Sequence, residues 1–129
     1  MLAIRIFLAL CAVIWLPYGL YCLANPGSLA EAAGVAATSV TGSIELRAMY
    51  GGLQAAVGAL ALAGALRASL APHALLALGS IAAGLGVSRV VSAANAGEFS
   101  SYTVMALGLE WTMLVFAFAF FRRVKPVGA

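Results

Sequence analysis

The chain reads as an all-α, integral-membrane four-helix bundle. Of its 129 residues, 64% are hydrophobic and 9% charged, where soluble domains carry about a quarter charged residues. Mean hydropathy is +1.08. Glycine, proline and asparagine clusters divide the chain into four apolar runs. At about 20 residues per crossing, four spans use roughly 80 residues. Short connections and one longer loop remain, with no room for a soluble domain.

The first span is predicted at residues 6–24, after Arg5 and before Asn25, Pro26 and Gly27, which cannot continue a helix. Its apolar run is longer than the core of a secretory signal, and no small residue precedes Cys11 as a lipoprotein site requires, so a retained span is expected. Pro17 removes one backbone hydrogen bond and should bend this helix beside Trp15 and Tyr18. Residues 25–43 form the longest connection. Ser28 followed by Glu31 is a capping-box pattern for a short surface helix, which Gly34 would close.

The second span is predicted at 44–66 behind Ser43 as N-cap, and the third at 72–94, with Pro72 in its first turn and Asn95 and Gly97 ending it. The fourth is predicted at 101–121, with Ser101 as N-cap. Arg5, Arg67 and the group Arg122, Arg123 and Lys125 flank one side of these spans. Glu31 and Glu98 occupy the opposite loops, so both termini are expected in the cytoplasm.

Helices in a bilayer pack through small residues at four-residue spacing, because lipid tails are as apolar as leucine. Gly51, Ala55 and Gly58 supply them in the second span, and Ser80, Gly84, Ser88 and Ser92 in the third. They predict a tightly packed bundle that leaves little lumen for a transport pore; the stripe in the third span would also serve a dimer face. No internal repeat is present. Cys11 and Cys22, about 16 Å apart along one helix, are expected to pack in the core and not to pair.

Four ionisable residues lie within or at the margins of the spans, where each costs about 2.5–3.5 kcal/mol near a helix centre. Glu45 falls in a first helical turn, where the helix dipole favours a carboxylate. Arg47 and Arg89 lie deeper, within snorkelling reach of an interface. Glu110, about nine residues or roughly 13 Å inside, has no such escape. Arg47, Tyr50, Gly51 and Gln54 share one α-helical face; Gly86, Arg89 and Ala93 share another, and Thr103, Ala106, Glu110 and Met113 a third. The expectation is that Arg47, Arg89 and Glu110 meet inside the bundle, with Tyr50, Gln54 and Glu45 beside them. Two arginines against one deep glutamate leave surplus positive charge unless Glu45 joins them, and that surplus would suit a small anionic or carbonyl-bearing ligand. An ion-pair network that only fixes helix register is the competing reading.

Other chemistry is thin. His73 stands alone near an interface, without a second metal ligand, and no cofactor is expected. Gly51-Gly52 lacks the following Lys of a phosphate loop, and no nucleophile triad is spaced along the chain. The net charge of +3 comes from scattered cations with no aromatic interleaving, which excludes a nucleic-acid surface.

The set Glu45, Arg47, Ala48, Tyr50, Gly51, Gly52, Gly58, Gly84, Ser88, Arg89, Gly97 and Glu110 resembles an uncharacterised family of small four-span bacterial membrane proteins, a domain of unknown function. More distantly, the chain is similar to DoxX-type four-helix membrane proteins, some of which accompany quinone-linked oxidoreductases. These resemblances imply a four-span architecture in a bacterial inner membrane and no particular activity. Three functions fit the residues: binding a small molecule or lipid headgroup in a polar pocket facing the outer leaflet, alone or as an accessory subunit; an intramembrane enzyme with Glu110 as acid or base; or a structural assembly partner. Membrane lipid is the expected neighbour under all three, and a homo-oligomer or a larger membrane complex is compatible with each.

Overall fold

The computed structural model describes residues 1–124, so Lys125 of the cationic tail lies outside the described residues. In chain order come α1 (Leu2–Ala24), α2 (Ser28–Ala33), α3 (Val40–Leu46), a π-helical turn (Arg47–Gly52), α4 (Leu53–Leu66), a 3-10 turn (Ala68–Leu70), α5 (Ala71–Ala96) and α6 (Ser101–Phe121). No strand occurs among the described residues. Four stretches are long and apolar enough to cross a membrane: Leu2–Ala24, Val40–Leu66, Ala68–Ala96 and Ser101–Phe121. Their outward faces carry exposed Leu, Ile, Val, Phe and Met, as a helix surface bathed in lipid does. This is an integral-membrane helical bundle.

Helix ends differ in detail from the sequence expectation. The capping box at α2 does not form: Ser28 Oγ donates to Asn25 O at 2.8 Å, and Gly27 occupies the N-cap. Gly34 does close α2, in the left-handed conformation at φ 68°, and Gly97 closes α5 in the same way at φ 67°. The second span starts earlier than Ser43, because Ser39 accepts the Gly42 N–H at 3.0 Å. Ser100, one residue before the expected Ser101, caps α6 by accepting the Thr103 N–H at 3.2 Å.

The first two spans form one tight antiparallel pair. A Cβ added at Gly19 would lie 2.2 Å from Ala55 N, one at Gly58 2.3 Å from Leu16 N, and one at Gly51 2.5 Å from Leu23 Cγ. The paired positions 19 with 55, 16 with 58 and 23 with 51 have the same sum, the signature of antiparallel helices held in one register. The expected small residues of the second span therefore act as predicted, and Gly19 supplies the opposing groove. In the third span the outcome is reversed. Ser80, Gly84, Ser88 and Ser92 face away from the other helices, and Gly79, Ala82, Gly86 and Ala93 are the buried ones.

Arginines lock this pair at both ends. Arg5 donates from Nε to Ala65 O at 3.0 Å and from Nη2 to Leu66 O at 3.1 Å, binding the last carbonyls of α4. Arg47 Nη1 donates to Leu23 O at the end of α1. Each guanidinium thus sits at the negative end of the neighbouring helix. Replacing Arg5 or Arg47 with alanine is expected to remove about 1 kcal/mol of stability each. Thermal unfolding in detergent checks this, with Arg67→Ala, which makes no side-chain hydrogen bond among the described residues, as the unaffected control.

The core is lopsided. Leu8, Ala61, Ala74, Leu75, Leu78, Met113 and Ala117 are all nearly inaccessible and fill the half of the bundle nearest the termini, where Phe7 packs against Phe116 and Phe120. In the other half the helices part around a cavity. Packing is looser there, in the half where a polar pocket was expected, and Trp15, Tyr18, Tyr50 and Tyr102 line the space in place of small residues.

Candidate functional site

A cavity of about 760 Å³ lies among all four spans in the half away from the termini. α1 contributes Trp15 and Tyr18, the second span Tyr50 and Gln54, α5 Leu85 and Arg89, and α6 Tyr102, Met105 and Glu110. At its polar edge Arg89 and Glu110 form a forked ion pair. Nε lies 3.1 Å from both carboxylate oxygens and Nη2 lies 2.8 Å from Oε1. The pair follows from antiparallel α5 and α6 joined by the short Gly97–Ser100 link, which places the two positions at the same depth. Gly86, one turn before Arg89, helps bring α6 close: an added Cβ there would already be in contact with Glu110 Cβ at 3.7 Å.

Burial is unequal within the pair. The Glu110 side chain is 4% exposed and that of Arg89 28%. The carboxylate is consumed by the arginine, while Arg89 keeps one edge of its guanidinium open. Its Nη1 makes no hydrogen bond to protein among the described residues, and its Cζ lies 5.9 Å from the centre of the Tyr102 ring. Gln54 adds a complementary group, since its Oε1 is buried and accepts no hydrogen bond among the described residues.

The sequence-derived set separates in space. Tyr50, Gln54, Arg89 and Glu110 line the cavity. Arg47 does not join Glu110; it is exposed and bound to the end of α1. Its departure has a backbone cause. Residues in the π-helical turn close hydrogen bonds five apart, as in Leu53 N–H to Ala48 O, so each advances less around the axis than an α-helical residue does. A face drawn through Arg47, Tyr50 and Gln54 at 3.6 residues per turn therefore breaks at the turn. Glu45, before that turn, is exposed and makes no ion pair among the described residues. The surplus positive charge expected from two arginines is accordingly absent from the cavity.

Further spaces adjoin it, among them a recess of about 480 Å³ beside Ser88, Ser92 and Thr103 that shares Leu85 and Arg89. A polar recess of about 470 Å³ lies at the same end of the bundle, roofed by Ala33, Gly34 and Val35, and it shares Tyr50, Arg89 and Tyr102 with the cavity. An apolar cleft of about 430 Å³ runs between α1 and α6 toward the termini, sharing Ile14, Trp15 and Leu109. Trp15 donates its indole N–H to Met113 Sδ at 3.2 Å, which fixes the ring at the junction of cavity and cleft. Sequence reasoning missed Tyr102 as a lining residue, although it precedes Glu110 by two helical turns on α6. Cys11 and Cys22 are buried free thiols, and no cluster of three or more His, Cys, Asp or Glu that could hold a metal occurs among the described residues.

Comparison with known proteins adds architecture and no chemistry. No curated protein and no solved structure matches the chain. A family model described as a domain of unknown function, DUF4345, matches residues 3–121, nearly the whole chain with all four spans. Matched over nearly its whole length, this chain belongs to the DUF4345 family.

Proposed function

We propose that this protein binds a small molecule or lipid headgroup in the cavity at Arg89, alone or as an accessory subunit of a membrane complex. The observation that carries the reading is the cavity itself, large enough for a ligand and lined mostly by apolar and aromatic groups with a few convergent polar atoms. An ion pair that only fixed helix register would need no such space beside it. The acid-base reading of Glu110 draws less support, because Arg89 occupies both carboxylate oxygens.

Placement in a bacterial inner membrane, with both termini cytoplasmic and the cavity toward the outer leaflet, completes the proposal. The bias of Arg5, Arg67, Arg122 and Arg123 to one end of the spans supports it. A thiol reagent that cannot cross membranes should label a cysteine introduced at Glu98 in intact cells and spare one introduced at Arg122; the reverse pattern would refute this orientation.

Binding is tested by purification under lipid-retaining conditions and mass spectrometry of the extract. The wild-type chain should carry one enriched species, and the Arg89→Met, Glu110→Met double variant should lose it while bulk lipid is unchanged. Identical extracts from both proteins would overturn the proposal.

A further inference from the structure

Resting on that reading, we infer that the ligand is an uncharged single-chain amphiphile, with its head between Arg89 and Gln54 and its tail in the cleft between α1 and α6. Charge selects the head. Arg89 and Glu110 are the ionised groups lining the cavity, and they cancel one another. Arg47, which would have favoured an anion, is spent on the end of α1. A charged head would meet mostly apolar walls and an ion pair that is already neutralised, which is costly whatever its sign.

Hydrogen bonding narrows the head further. Arg89 Nη1 is a donor without a protein acceptor, and Gln54 Oε1 is a buried acceptor without a donor, both among the described residues. A head carrying a carbonyl and a hydroxyl satisfies both at once. The polar recess beyond Tyr50 and Tyr102 leaves space for further hydroxyl groups on the aqueous side.

The tail follows from continuity. Cavity and cleft meet at Ile14, Trp15 and Leu109, and the cleft continues past Leu10 to Phe120. From Glu110 to Phe120 is ten residues, about 15 Å of helix, the reach of a medium-length hydrocarbon chain. The cleft lies between two helices on the lipid side, so a chain can slide in sideways from the bilayer without the head crossing the packed core.

The test uses the full-length protein in lipid nanodiscs and a monolaurin analogue with a photoactivatable group in its tail. Crosslinked peptides are mapped by mass spectrometry. Labelling should fall on α1 and α6 and should be lost in Leu10→Trp, Thr112→Trp, which fills the cleft at two exposed positions. Unlabelled monolaurin should compete at about tenfold lower concentration than lauroyl lysophosphatidate, which differs only by its phosphate. Stronger competition by the phosphate, or labelling spread over every lipid-facing helix surface but still reduced in Arg89→Met, Glu110→Met, overturns the ligand class and leaves the binding site standing. Labelling indifferent to that double variant and to both competitors overturns the site as well.

Discussion

Replacing Glu110 with leucine is expected to remove about 2–3 kcal/mol of stability, less than a fully buried pair would lose, because Arg89 loses its counter-charge while its partly exposed guanidinium still borders the polar recess. Glu110→Gln should lie between wild type and Glu110→Leu, since an amide oxygen still accepts from Arg89 but brings no charge. The paired replacement Arg89→Met, Glu110→Met should return stability to within about 1 kcal/mol of wild type, as buried ion pairs exchanged for apolar groups commonly do. Unfolding by titrating dodecyl sulfate into mild detergent measures all three. A large loss in the double variant would mean that the pair holds the bundle together, against its assignment to a site. If Glu110→Leu itself costs nothing, the Arg89 guanidinium is fully solvated without its partner and the ion pair is no part of a buried site.

Gly58→Ala is the second large effect. Its added Cβ falls 2.3 Å from Leu16 N and 2.6 Å from Leu16 Cα, so the obstacle is backbone and no rotamer change relieves it. Moving α1 outward would also break the adjacent Gly19 approach to Ala55 and draw Leu23 O from Arg47. The expected loss is about 3 kcal/mol, at the upper end for overpacking. Gly84→Ala, where an added Cβ has nothing within 4 Å, should stay within about 0.5 kcal/mol of wild type. The two variants differ only in position, so comparing their unfolding midpoints separates packing from helix propensity. Equal midpoints would show that α1 and α4 are not in this register.

Apolar run lengths and breakers made the four spans legible, because a helix that crosses lipid must satisfy its own backbone and present hydrocarbon outward over a fixed thickness. Gly34 and Gly97 were legible as helix ends for a local reason, the left-handed backbone that glycine adopts without strain. Caps at Ser39 and Ser100 fell a few residues or one residue from expectation, since neighbouring serines compete for the same free N–H groups and local sequence does not rank them.

The site was legible by halves. Arg89 and Glu110 pair as their depths required, since neither could be left alone in hydrocarbon. Arg47 departs from the expected face because an α-helical period does not hold through residues that form a wider turn. Nothing in the local sequence marks that change of period. Gly51 packs closely against Leu23 within it, so the turn accompanies the helix contact.

From its sequence alone, then, this chain was bound to be a four-span membrane bundle with one deep acid in need of a cation, since insertion energies act residue by residue. Which arginine answers that acid, which small-residue stripe faces inward, and whether space remains beside the pair were decided only when the helices met. Those outcomes depend on the relative rotation of helices, and a single π-helical turn is enough to change it.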